Sequence, residues 1–176
     1  MKSKVIALSA ISAGFIAISL TAGAYIDLID LITVIAASIF VILPLYYNSY
    51  AGCFMAYAAG GILAFLFSGF NIFSVVFPAY FAFFGIYPII KAITYGKIKN
   101  AVFCVLGAVW CIAVFYGLYF FLIYVIKLTF SDLPQFISDY ILVFVGLAGA
   151  VFYFVFDRFC LIVKRVVDYY LRRIIK

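Results

Sequence analysis

The sequence predicts an all-α polytopic membrane protein. Six transmembrane helices form a bundle, both termini face the cytoplasm, and the C-terminus is a basic amphipathic helix. Three observations carry this expectation. Of 176 residues, 70% are hydrophobic and 10% charged, with a mean hydropathy of +1.34. A chain this size has too little interior to hide that much apolar surface, so lipid must solvate part of it. The apolar residues also fall into six runs of spanning length, about 5–25, 31–47, 51–67, 72–90, 101–126 and 136–156. Finally, with the N-terminus inside, six crossings put 11 of the 12 Lys and Arg on the inner side. These are Lys2, Lys4, Lys91, Lys97, Lys99 and the six from Arg158 onward. Only Lys127 falls outside, together with four of the six aspartates, as the positive-inside rule requires.

The first run follows Lys2 and Lys4. A basic start, an apolar core and Ala22-Gly23-Ala24 also fit a cleaved signal peptide. The run is long enough to span and longer than most signal cores, which favours a retained helix. Ala10, Ala13, Gly14 and Ala17 recur at helical spacing on it. Small residues so placed admit another helix closely, in the same chain or in a partner. Tyr46 to Tyr50 is a short, uncharged turn, so spans two and three are antiparallel neighbours. Span three carries Gly52, Ala56, Ala59, Gly60 and Gly61, and Ser68 to Asn71 make the next turn.

Span four ends in FPAYFAFFGIYPIIK, Phe77 to Lys91. Pro78 is expected in the first turn of its helix, where a missing N–H is harmless. Pro88 is expected in the last turn, bending the helix or ending it. Gly85 should admit a neighbouring helix, Tyr87 should hydrogen-bond across that contact, and Lys91 should reach the interface. Span five is the longest run; it would reach about 39 Å, so it tilts or projects beyond the hydrocarbon. Lys127 to Gln135 form a polar turn, and Gly146 and Ala150 form a packing face on span six. The bundle is then residues 1–157 and the cytoplasmic tail 158–176. In the tail Lys164, Asp168, Arg172 and Lys176 recur every four residues, with valines on another face. Lys164, Arg165, Arg172, Arg173 and Lys176 are expected to hold it on anionic lipid, at about 1 kcal/mol per well-placed cation.

Much chemistry is excluded. The chain has no His, and all six of its acidic residues are Asp. A His-based triad, an HExxH zinc site and a Glu acid–base pair cannot form within it. Cys53, Cys104, Cys111 and Cys160 lie in or beside apolar runs and read as packing residues. No charge falls near mid-membrane in any span, which disfavours proton relays and ion-coupled transport. No catalytic residue, metal site or cofactor is expected, and the chain does not read as an enzyme. The net charge of +6 follows membrane topology and does not call for nucleic acid. The outer polar residues Tyr25, Asp27, Asp30, Asn71, Lys127 and Asp132 admit two readings. They cap and bound helices whose N-terminal ends face outward, or they form a small mixed-charge mouth over an aromatic-lined pocket for a small-molecule ligand.

Six spans in this length, both termini inside, an alanine-rich first helix and no energy-coupling site resemble the S component of energy-coupling-factor vitamin transporters. That resemblance implies a multi-pass protein of the bacterial plasma membrane that captures a micronutrient. It implies a ligand pocket formed by the first, third and fifth loops. It also implies that the span-one face with Ala13 and Ala17 meets a transmembrane coupling subunit driven by ATPases. Ala36 to Lys91, with Phe83, Phe84, Gly85, Tyr87, Pro88 and Lys91, is similar to a signature in a Firmicutes family of integral membrane proteins; this implies no substrate. A non-transport accessory protein or scaffold of a membrane complex is the alternative expectation. An enclosed outer cavity would favour capture, and a side-chain-filled outer half would favour scaffolding.

Overall fold

A computed structural model describes residues 2–94, 100–127 and 140–174. All regular structure among these residues is helical. Six stretches are long and apolar enough to cross a membrane: Ser3–Tyr25, Asp30–Tyr47, Tyr50–Phe67, Val76–Thr94, Ala101–Tyr124 and Ile141–Val167. The helices are α1 (Lys2–Tyr25), α2 (Asp30–Ile42), α3 (Tyr50–Phe67), α4 (Val76–Ala79), α5 (Tyr87–Thr94), α6 (Asn100–Tyr124) and α7 (Ile141–Ile174). The fourth span is composite, built from α4, a π-helical turn at Tyr80–Phe84 and α5. The chain divides into two compact units, Met1–Tyr95 with Phe159–Lys176, and Gly96–Arg158.

In the first unit, glycines and ring pairs fix how the helices run. Phe15 stacks on Phe40 with centroids 4.8 Å apart, and Gly23 abuts Thr33, so α1 and α2 are antiparallel. A Cβ on Gly52 would lie 2.7 Å from Ser9 Oγ, and one on Gly60 would lie 2.6 Å from Ile16 Cγ2. Both pairs advance together along the chain, so α1 and α3 lie side by side and parallel. Gly61 meets Phe81, and Gly85 meets Tyr57, which sets the fourth span antiparallel to α3. One end of the unit therefore carries Lys4 and Lys91, and the other carries Asp30 and Asn71.

Turn chemistry explains the boundaries. Asn48 takes a left-handed φ of 51° after the 3-10 turn Leu43–Tyr47. Ser49 then caps α3 by accepting from the Gly52 N–H. The C-terminus of α3 closes as a Schellman motif: Gly69 has φ 68°, and the Phe70 N–H donates to Phe65 O at 3.0 Å. Phe65 and Phe70 pack edge-to-face at 5.3 Å, the apolar contact that accompanies this motif.

The fourth span starts at Val76, later than the expected residue 72, and continues past 90 to Thr94. The apolar run begins earlier because Ile72 and Phe73 precede the helix as exposed residues. Asn71 Oδ1 accepts from the Phe73 N–H, and Ser74 Oγ accepts from the Val76 N–H, so local side-chain bonds occupy the turn before the helix. The expected break between span six and the tail also falls inside a single helix. α7 has 34 residues without interruption, about 51 Å against about 30 Å of hydrocarbon.

The second unit is an antiparallel helical hairpin of α6 and the first half of α7. A Cβ on Gly107 would meet the Tyr153 ring at 2.6 Å, and one on Gly149 would meet Ile112 Cα at 3.2 Å. Tyr116 Oη lies 2.7 Å from a Cβ built on Gly146 and donates to Leu142 O. Gly146 thus serves the packing face expected of it.

Candidate functional site

The centre of the first unit is an interlock between α3 and the fourth span. Each helix offers an aromatic residue and, four residues on, a glycine: Tyr57 and Gly61 on α3, Phe81 and Gly85 on the fourth span. The ring from one helix fills the space left by the glycine of the other. A Cβ on Gly85 would lie 2.5 Å from the Tyr57 ring, and one on Gly61 would lie 2.5 Å from Phe81. Tyr57 and Tyr80 also exchange hydrogen bonds with the opposing backbones. Tyr57 Oη donates to Phe81 O at 3.0 Å, and Tyr80 Oη donates to Tyr57 O at 3.2 Å.

The π turn explains the first of these bonds. In an α-helix the Gly85 N–H would donate to Phe81 O; here it donates to Tyr80 O at 2.9 Å. The Phe81 carbonyl is released, and an unsatisfied carbonyl is costly in a membrane. Tyr57 takes its place. Pro88 extends the break, since it has no N–H to offer the preceding turn. Of the two expected effects, bending the helix or ending it, the span does not end at Pro88, because α5 begins at Tyr87 and leaves Pro88 in a first turn, where proline is tolerated. Gly85 receives α3 of the same chain. Tyr87 is fully buried and stacks on Phe83 at 5.0 Å.

The Asp30 end of this unit is closed by direct contacts. Tyr25 Oη donates to Phe67 O, and Asn71 Nδ2 donates to Ala24 O. Both acceptors lie among the last carbonyls of α1 and α3, which lack helical donors. Tyr25 and Asn71 therefore tie two helix ends together. Thr33 and Val76 leave no room for a side chain at Gly23, and Leu20, Val34 and Phe77 are also buried. Asp30 lies in the first turn of α2, where the helix dipole favours an anion, and Asp27 lies in the short turn Asp27–Ile29. Lys127 belongs to the second unit, where it takes a left-handed φ of 57° after α6. Asp132 lies outside the described residues.

Two cavities lie at the Lys4 end of the first unit. One is a groove of about 700 Å³ between α1 and α3, walled by Ser9, Ala10, Ala13, Gly52, Met55 and Ala59. The other, of about 230 Å³, lies where the ends of the second and fourth spans meet α7, and Lys91, Lys164 and Arg165 are among its lining residues. The five residues expected to meet a partner helix are thus divided. Ala13 and Ala17 are buried, Ala13 at the groove floor, and Gly85 is used internally; Ala10 and Gly14 are exposed, with open space beside Gly14. Of the tail cations, Lys164 and Arg165 reach the smaller cavity, Arg172 and Arg173 continue α7, and Lys176 lies outside the described residues.

Sequence reasoning missed Tyr57 and Tyr80. For Tyr57 the signal was present as an aromatic residue four positions before a glycine, a spacing that Phe81 and Gly85 repeat on the neighbouring span; Tyr80 falls outside it. Among the described residues no group of His, Cys, Asp or Glu is placed to hold a metal ion, and the four cysteines are free thiols.

No protein-family profile, curated protein or solved structure matches the chain.

Proposed function

We propose that this chain is an accessory subunit of a membrane complex that receives a partner's transmembrane helix in the groove between α1 and α3. The groove carries this reading. It is about 700 Å³ in volume, and five of its twelve lining residues are alanine or glycine, with Met55 as an adaptable side. Helix association in lipid depends on close backbone approach, which small residues allow. The pinned Asp30 end supports a role other than passing a solute through this unit. The cation count supports a cytoplasmic Lys4 end and a place in the cell membrane.

A second reading is the substrate-capture subunit of a micronutrient importer. The interrupted fourth span favours it, because broken helices recur at transporter binding sites. On that reading the groove would seat the coupling subunit against Ala10 and Ala13, and a small molecule would bind near Asp30. It is the weaker reading, since Tyr57 already occupies the carbonyl freed at the break.

Site-directed cross-linking in native membranes tests both. A cysteine at Ala10 or Met55 should form a discrete adduct with one membrane protein, and Ala10→Trp should abolish it. A coupling subunit with ATPases in that adduct would select the importer. Only lipid adducts at both positions would reject a partner helix.

A further inference from the structure

We infer that the smaller cavity at the Lys4 end binds a phosphate group, carried either by an anionic lipid headgroup or by a soluble phosphate ester. The inference is independent of the groove and of any partner. Among the described residues nine line the cavity; three of these are cations, Lys91, Lys164 and Arg165, and none of the nine is acidic. They come from two distant parts of the chain, α5 and α7, which the fold brings to one point. The rest of the wall is largely apolar, with Ile42, Pro88 and Leu161. A cavity with cations from two helices and an otherwise apolar lining suits a phosphodiester, whose head is anionic and whose acyl chains can leave along hydrocarbon. Basic pockets between membrane helices at the cytoplasmic face bind lipid headgroups for this reason.

Size and position narrow the ligand further. At about 230 Å³ the cavity falls below the roughly 300–1,000 Å³ of sites for drug-sized molecules. It has room for a phosphate and its immediate substituents. Lys91 is held in place by the face of Tyr87, with Nζ 5.9 Å from the ring centroid. Arg165 can present two parallel N–H donors to phosphate oxygens, and Lys91 and Lys164 add point charges.

The test uses the full-length chain in detergent, with phosphatidylglycerol, phosphatidylcholine and inorganic phosphate as probes and native mass spectrometry as the readout. The wild-type chain should prefer phosphatidylglycerol over phosphatidylcholine by on the order of 100-fold, given three cations. Lys91→Gln/Lys164→Gln/Arg165→Gln should lose that preference. Arg172→Gln/Arg173→Gln, which removes two cations near the C-terminal end of α7, should keep it. Ala92→Phe retains every charge but fills the cavity, and should weaken binding by about 10-fold or more. This variant separates a shaped site from diffuse attraction, and circular dichroism confirms that each variant is folded. Displacement of the lipid by inorganic phosphate alone would identify a soluble ester as the source; retention would identify the headgroup. Unchanged selectivity in Ala92→Phe, or equal losses in the cavity and tail variants, would overturn the inference.

Discussion

In the fourth span, 56% of the membrane-length window is buried within the protein, against 11% in α6. Hydropathy runs the opposite way: 1.6 for the fourth span, the lowest of the six, and 2.3 for α6, the highest. A helix solvated by lipid needs apolar side chains all round and little else. A helix solvated by other helices can carry Tyr, Gly and Pro, because neighbours supply the hydrogen bonds and close contacts those residues need. The fourth span uses Tyr80, Gly85 and Pro88 in this way. The hairpin does so only locally, at Gly107, Gly146 and Gly149, while Val105, Val109 and Val151 remain exposed.

The largest expected effect comes from forcing the interlock apart. Gly85→Leu would drive a side chain into the rings of Tyr57 and Tyr80, and should cost about 3 kcal/mol or more, above the usual range for overpacking. Folded yield after detergent extraction, read by size-exclusion profile, measures it. A smaller substitution sharpens the contrast between the two units. Gly85→Ala meets the Tyr57 ring and buried Tyr80, whereas Gly146→Ala meets the far end of Tyr116 with no other atom closer than 3.5 Å. Gly85→Ala should therefore lower the melting temperature clearly and Gly146→Ala only slightly; equal shifts would erase the distinction.

Removing one hydroxyl comes next. Tyr57→Phe leaves the Phe81 carbonyl without this donor and should cost about 1 kcal/mol, within the range of interhelical hydrogen bonds in membranes. Tyr57→Phe and Tyr80→Phe act on one contact, so their combined cost should differ from the sum by about 0.5 kcal/mol or more. Chemical denaturation of the four species closes that cycle. The smallest effect belongs to the hairpin surface. Val105→Leu and Val109→Leu should leave stability within about 0.5 kcal/mol of the parent.

How far the sequence was legible follows the same division. Six membrane-length apolar runs are a bulk property, and they survive as six helices because lipid and backbone demand them. The ends were less legible where an apolar residue lies outside a helix. Ile72 and Phe73 look like membrane residues, yet Asn71 and Ser74 set the start of the fourth span. The boundary expected at 157 falls inside α7, because charge at Asp157 and Arg158 marks a change of solvent, while an α-helix continues through either solvent. Tyr25 and Asn71 had the right chemistry for capping, but their acceptors, Phe67 O and Ala24 O, depend on which helix ends meet. The π turn left no local signature, since its stability rests on Tyr57 more than twenty residues away. The pairing of Lys91 with Lys164 and Arg165 was equally hidden, because it exists only after α5 and α7 come together.

The central claim is that specific packing is concentrated in the four-span unit and is sparser within the hairpin. A tryptophan scan of residues 76–94 and 101–124, scored by folded yield, tests it most directly. The account predicts that about half of the positions in the fourth span reject tryptophan, Tyr80, Phe83, Gly85 and Tyr87 among them, following the 56% buried share. In α6 only a few should do so, Gly107 and Cys111 first. Similar fractions of intolerant positions in the two helices would contradict it.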